Sequence, residues 1–367
     1  MKTTQKLHDL GQSLWLDNIT RGLLTSGGLR RYMDDYSVTG LTSNPTIFDK
    51  AIKDADFYDE AIDQKAATGM SGEALFYELA LEDLVQAADL FRPIHDATDG
   101  VDGWVSLELS PLLSEDTAGS VKAAIEFHVR AQRPNLFIKI PGTPAGIPAI
   151  EEAIFAGVPV NVTLLFSREQ YIASAEAYMR GIERRIAAGL DPVVGSAASI
   201  FVSRWDAAVA DRVPNSLRNR LGIAIARRTY RAYRELLTSV RWRTLANASA
   251  QPQRLLWAST GTKDPSAPDT LYVEALAAPD TINTLPEKTL RAFAAHGQVK
   301  DVMPVDGGDA EEVLAEFARA GVNDAELAVQ LQQAGTRAFA KSWADLMSRL
   351  DTKRATLTQA HRAGGRG

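Results

Sequence analysis

A single lysine interrupts an apolar run in PNLFIKIPG, residues 134–142. Runs of this kind become buried strands, and an unpaired ammonium inside one is costly. Only an unprotonated amine attacks a carbonyl, yet a free lysine, with a pKa of about 10.4, is almost wholly protonated at neutral pH. Desolvation disfavours the ammonium, so an apolar strand suits a lysine that has to be neutral and nucleophilic. Lys139 is therefore the first candidate for chemistry. An ion pair with Glu108 of WVSLELS is the plain alternative, but it leaves the polar neighbours of both residues unexplained.

Those neighbours recur on single faces. Residues two apart in a strand share a face, and in a barrel one face points to the axis. LFIKI pairs Phe137 with Lys139, VPVNVTLL pairs Asn161 with Thr163, and WVSLELS pairs Ser106 with Glu108; GLTSNP adds Thr42 with Asn44, and AASIF adds Ser199 with Phe201. Taken alone, Thr42, Ser106 or Ser199 reads as a satisfied interior polar group. Lys139 with Glu108, Asn161 and Thr163 reads as chemistry, because loops converge and active sites assemble at the carboxyl ends of barrel strands.

The elements that carry these residues alternate. Thr3–Met33, with Leu7, Leu10 and Leu14 on recurring apolar positions, reads as an opening helix. Eight candidate strands follow: YSVTGL, GWVSLEL, LFIKI, PVNVTLL, VVGSAASIFV, RLLWAS, LYVEAL and DTINTL. Helix-like segments such as SVKAAIEFHVRAQ and GIPAIEEAIFAG separate them. The alternation predicts an α/β fold, a single (β/α)8 TIM-type barrel with an extra N-terminal helix. From Pro286 onward the pattern is helical and predicts additional C-terminal helices packed outside the barrel. One domain is expected over residues 1–361, with RAGGRG, residues 362–367, as a disordered tail. No glycine-rich dinucleotide fingerprint follows an early strand and no full phosphate-loop motif occurs, which disfavours an open nucleotide-binding sheet.

Composition narrows the chemistry. With 0 cysteines, disulfides and thiolate nucleophiles are excluded, and the five histidines (His8, His95, His128, His296 and His361) match no close two-histidine metal spacing. No metal and no cofactor is expected. Hydrophobic content of 45% and charged content of 23% are ordinary for a globular protein, and no apolar segment has the length of a membrane span. A net charge of -6 argues against a nucleic-acid partner, and the locally basic RNRLGIAIARRTYRAYRELL reads as a solvated helix face. The first residues lack the apolar core and cleavage site of a secretory signal, so a cytoplasmic location is expected.

GLTSNPTIF, residues 40–48, resembles the first transaldolase signature, and LFIKIPGTPAGIPAIEEAIFAGVPVNVTLLFS, residues 136–167, resembles the second, lysine-bearing one. LWLDNI, SLELSP and SIFVSRWD extend the likeness over roughly the first two thirds of the chain, and beyond Leu255 it becomes loose. The resemblance implies that Lys139 forms an imine with the C2 carbonyl of a ketose phosphate. It implies that Asp17, which alone reads as a surface helix residue, moves the C4 hydroxyl proton. Glu108 would shuttle protons through a water held by Thr163. Asn44 and Asn161 would bind the dihydroxyacetone hydroxyls, Ser199, Phe201 and Ser259 would line the pocket, and Arg204 would take the phosphate. Shorter members of the family carry an arginine two residues after a serine where WASTGTKDP has Gly261 after Ser259. Lys263 is expected to supply that charge, with an exposed lysine on a plain surface loop as the alternative. The implied activity is transfer of dihydroxyacetone between sugar phosphates by a monomer or homodimer. The rivals are a fructose 6-phosphate aldolase and a non-catalytic barrel that binds sugar phosphates.

Overall fold

The structure, a computed structural model, describes residues 2–54 and 56–364. Eight parallel strands close into a barrel in sequence order. They are β1 (Gln12–Asp17), β2 (Val38–Thr42), β3 (Val105–Glu108), β4 (Leu136–Pro141), β5 (Val160–Leu165), β6 (Ser196–Phe201), β7 (Gln253–Ala258) and β8 (Thr281–Leu285). Strand β1 pairs with both β2 and β8, so the sheet has no edge.

The predicted barrel stands, with two changes of membership. The expected helix over Thr3–Met33 is a helix at Thr3–Asp9, then β1, then helices Arg21–Thr25 and Gly28–Tyr36. Gly11, at φ 96°, ends the first helix, and its N–H donates to the carbonyl of His8 at 2.8 Å. SLWL is a short apolar run buried on both faces, and such a run has no periodicity to separate strand from helix. Asp17 therefore ends a barrel strand instead of riding on a surface helix. LYVEAL, expected as a strand, is a short helix at Leu271–Ala275, and DTINTL supplies β8. The helix starts from a turn in which Leu271 N–H donates to Pro268 O at 3.1 Å, and Thr270 Oγ1 closes it on Glu274 Oε1 at 2.8 Å. The shift also makes RLLWAS the seventh strand and SAASIF the sixth.

Local chemistry sets the strand ends that matter for the site. In the helix Thr117–Ala131, Ser120, Ala124, Phe127 and Ala131 form the buried stripe that seats it on the sheet, and Asp116 caps it through Gly119 N–H at 2.9 Å. After β4 the chain turns so tightly into the helix Gly146–Phe155 that a Cβ on Gly146 would lie 1.8 Å from Pro141 O. Only glycine permits that approach. Strand β5 carries a register shift between Val162 and Leu165, with Leu164 at φ 57°. Such bulges re-aim side chains, here beside Thr163.

Three helices follow β8: Glu287–His296, Ala310–Arg319 and Asp324–Gly364. The last has 41 residues, about 60 Å at 1.5 Å per residue. It packs on the outer helices Pro45–Asp54, Asp59–Ala67 and Gly72–Ala97, where Trp343 meets Phe76 edge-on at 5.0 Å and donates to Glu73 Oε1 at 2.8 Å. Its middle also leans over the carboxyl ends of β4 and β5. Of the tail expected at 362–367, residues 362–364 end this helix and 365–367 lie outside the described residues.

Candidate active site

The site is recognised by its side chains and not by its size. The cavity at the carboxyl ends of the strands has a volume of about 150 Å³, against about 570 Å³ for one at the opposite end of the barrel. The smaller one gathers Asp17, Asn44, Lys139, Asn161, Thr163, Ser199, Phe201, Arg204, Ser259 and Lys263, residues from six different strands or the loops after them. Every expected site residue is on its wall except Glu108, which stands behind Lys139.

Lys139 is 7% exposed and its Nζ donates to Glu108 Oε2 at 2.8 Å and to Ser43 O at 2.8 Å. The ion pair weighed as the plain alternative is present. It coexists with the reactive arrangement, because burial, the largest influence, lifts the Glu108 carboxyl above its usual range although Lys139 and Arg204 oppose it and Asp17 adds to it. A carboxylate raised in this way is a better proton acceptor at the lysine it touches.

Asp17, at the end of β1, is also lifted by burial, against the pull of Lys139, of the Thr42 hydroxyl and of Lys263. Thr42 Oγ1 donates to Asp17 Oδ1 at 2.9 Å and lies 2.7 Å from Thr284 Oγ1. The Asp17 carboxyl on the cavity wall and the Glu108 carboxyl behind Lys139 thus have different partners, one a threonine pair and one the amine.

The asparagines differ. Asn161 is fully buried, accepts from Ser199 Oγ at 2.7 Å and donates to Ser106 Oγ at 3.3 Å, so two hydroxyls fix its amide. Asn44 Oδ1 accepts from Ile47 N–H at 3.1 Å and starts the helix Pro45–Asp54, and the residue also lines the cavity.

Two cations complete the wall. Arg204 lies 5.0 Å above the Phe201 ring and 5.8 Å from the Phe339 ring, and burial pulls its guanidinium below its usual range against Glu108. Lys263 reaches the same cavity from the loop after β7, its Nζ 3.8 Å from where a Gly261 side chain would begin. Among the described residues neither cation makes an ion pair or hydrogen bond. Ser259, at φ 56°, turns that loop and meets Ser203 Oγ at 3.0 Å.

Sequence reasoning gave Thr42 a structural role and did not weigh Thr284 or Phe339. Thr284 shares a face with Ile282 in DTINTL and was open to the same alternation argument. Phe339 belongs to the C-terminal helix, and nothing in its local sequence points to the cavity.

The chain is similar to known proteins along most of its length. The family model described as Transaldolase/Fructose-6-phosphate aldolase matches residues 14–350. The transaldolase of Thermobifida fusca is 43% identical over 96% of this chain and 99% of its own. That of Parafrankia sp. is 44% identical over 98% and 99%, and that of Saccharopolyspora erythraea 43% over 97% and 98%. The similarity, loose beyond Leu255 in the motifs, extends into the C-terminal helix.

Proposed function

The chain belongs to the transaldolase/fructose-6-phosphate aldolase family, and on that premise we propose that it is a transaldolase of the pentose phosphate pathway working through an imine on Lys139. It moves a dihydroxyacetone unit from sedoheptulose 7-phosphate or fructose 6-phosphate to glyceraldehyde 3-phosphate or erythrose 4-phosphate. The observation that carries the reading is the contact between Lys139 Nζ and Glu108 at 2.8 Å, in a cavity that holds a second carboxyl and two uncommitted cations.

Glu108 takes a proton from the Lys139 ammonium, and the freed amine attacks C2 of the ketose. The carbinolamine loses its hydroxyl as water, using the proton carried by Glu108 through a water at Thr163, and an iminium forms. Asp17 removes the C4 hydroxyl proton, the C3–C4 bond breaks, and its electron pair moves into the iminium to give an enamine. The aldose phosphate leaves. Asn44 and Asn161 hold the hydroxyls of the three-carbon unit until its C3 attacks an incoming aldehyde, and Asp17 returns the proton to the new hydroxyl. Hydrolysis frees Lys139.

Arg204 and Lys263 hold the substrate phosphate. A phosphate dianion offers several oxygens to a guanidinium fork and an ammonium, and the Phe201 and Phe339 rings keep the fork from other partners. The setting is cytoplasmic, with sugar phosphates as the partners and a monomer or homodimer as the working form. Among the described residues no helix is long and apolar enough to cross a membrane.

The test mixes the protein with fructose 6-phosphate and erythrose 4-phosphate. Sedoheptulose 7-phosphate should accumulate with little free dihydroxyacetone. Dihydroxyacetone as the main product would move the reading to fructose 6-phosphate aldolase, and neither product would leave a sugar-phosphate-binding barrel.

A further inference from the structure

The C-terminal helix brings more than Phe339 to the site. Gln332, Gly335 and Phe339 are three and four residues apart, so they share one face. That face rests on the ends of β4 and β5. Gln332 is buried, and its Nε2 donates to Gly142 O at 2.9 Å and to Leu164 O at 3.0 Å.

Those two carbonyls need an outside donor. The β4–β5 ladder pairs Lys139 with Asn161 and Pro141 with Thr163, and Gly142 N–H still donates to Thr163 O at 2.7 Å. Leu164 then turns to φ 57°, a left-handed conformation that leucine rarely adopts. The turn takes its carbonyl out of the ladder, and a buried carbonyl without a partner is destabilising. One amide group with two hydrogens meets both acceptors.

Gly335 explains how the helix comes close enough. Glycine is a poor residue for a helix interior. Here a Cβ would lie 2.8 Å from Leu164 Cδ2 and 3.1 Å from Arg204 Nη1. The position is reserved for close approach to the residue after Thr163 and to the phosphate-binding arginine.

We propose that Gln332 is a positioning residue for the reaction: by clamping the carbonyls of Gly142 and Leu164 it joins the strand ends that carry Lys139 and Thr163, while Gly335 seats the helix against Leu164 and Arg204. The proposal rests on the reading in which Lys139 forms the imine and Thr163 holds the water. It assigns the C-terminal helix a place in the imine-forming step, through the geometry of two strands it does not belong to.

The test uses the full chain with fructose 6-phosphate and borohydride in single turnovers, beside steady-state transfer to erythrose 4-phosphate. Gln332→Met keeps the length and removes both donors; Gln332→Glu keeps the shape and faces a carboxylate to two carbonyls. Imine trapping should slow about tenfold to a hundredfold in Gln332→Met and further in Gln332→Glu, since small misplacements cost rates of that order. The KM for fructose 6-phosphate should stay within about threefold. Gly335→Ala should shift the opposite parameter: KM raised several-fold as the new Cβ displaces Leu164 and Arg204, with the gain in helix propensity offset by that crowding. Trapping in Gln332→Met at the wild-type rate per folded molecule overturns the proposal while wild-type label on Lys139 keeps the imine reading. Wild-type label on another lysine overturns both. If Gln332→Met does not fold, Gly335→Ala decides, and an unchanged KM there overturns the proposal.

Discussion

Two arginines at opposite ends of the barrel, Arg254 buried and Arg204 half-buried, have opposite surroundings. At the amino-terminal end Arg254, 9% exposed, donates to Val101 O, Ser13 Oγ and Thr281 O, each at 2.9 Å. Ser13 passes its own hydrogen to Asp102, which also accepts from Trp15 Nε1 at 2.8 Å and Gly103 N–H at 3.0 Å. The cavity there is the larger one, walled by Trp104, Phe137 and Trp242. At the carboxyl-terminal end Arg204 has aromatic faces and no hydrogen-bond acceptor among the described residues, and Lys263 stands beside it equally uncommitted. At the first end the Arg254–Ser13–Asp102–Trp15 cluster is a satisfied polar network and contributes stability. The second presents two cations without a protein partner among the described residues, and two of its carboxyls are shifted by burial toward neutrality. What separates a structural cluster from a reactive one is where its hydrogen bonds end.

The contrast is broken most directly by Lys139→Ala. Transfer activity should vanish in molecules that are folded at the assay temperature, with the melting temperature lowered because Glu108 and Ser43 O lose their buried donor, and borohydride with fructose 6-phosphate should label only the wild-type peptide containing Lys139. Full activity, or a label elsewhere, would place the chemistry on another residue.

Asp17→Asn and Glu108→Gln come next. General acid–base groups contribute about 100- to 10,000-fold, and the two should act at different steps. Asp17→Asn should still form the imine and fail in carbon–carbon cleavage, and Glu108→Gln should slow imine formation itself. Identical defects in both single-turnover steps would remove the division between the carboxyl on the amine and the carboxyl on the threonine pair.

At the proposed phosphate end, Lys263→Ala should lose one charge-assisted contact, about 1.5 to 3 kcal/mol, and raise the KM for fructose 6-phosphate about tenfold to a hundredfold. Turnover of unphosphorylated fructose should barely change. An unaltered KM would return Lys263 to the plain surface loop.

The pH dependence sharpens the comparison because activity and stability should slope oppositely. In the proposed mechanism Asp17 acts ionised, so the rate should fall on acidification from above the ordinary carboxylate range, its folded value being raised by burial against Lys139, Thr42 and Lys263. A carboxyl raised on folding favours the protonated folded state. Its contribution to stability is therefore complete below the unfolded value and is lost as pH rises through the folded value. Denaturant titrations of Asp17→Asn across that interval should show a flatter pH slope than wild type.

Arg254→Met should have the smallest effect on catalysis. It leaves Val101 O, Thr281 O and Ser13 short of a donor and should lower stability by about 2 to 4 kcal/mol. Its kcat/KM below the melting transition should stay within about twofold of wild type. A catalytic defect would mean that the lower end communicates with the upper one.

Sequence alone predicted an eight-stranded barrel, though not all of its members, together with the lysine in its apolar strand and the polar residues that share faces. These rest on the two-residue period of a strand and the alternation of elements, which are local. It carried Asp17 and Lys263 only through resemblance: β1 lies in an apolar run that satisfies helix and strand spacing alike, and no local rule sends an exposed loop lysine toward a cavity. Tertiary structure alone decided the rest. It placed Thr284 against Thr42, Phe339 over Arg204 and Gln332 on the β4 and β5 ends, contacts spanning 242, 135 and 168 residues or more. A helix pattern specifies which face is buried, but the partner that buries it is fixed only when the barrel closes and presents the bent end of β5.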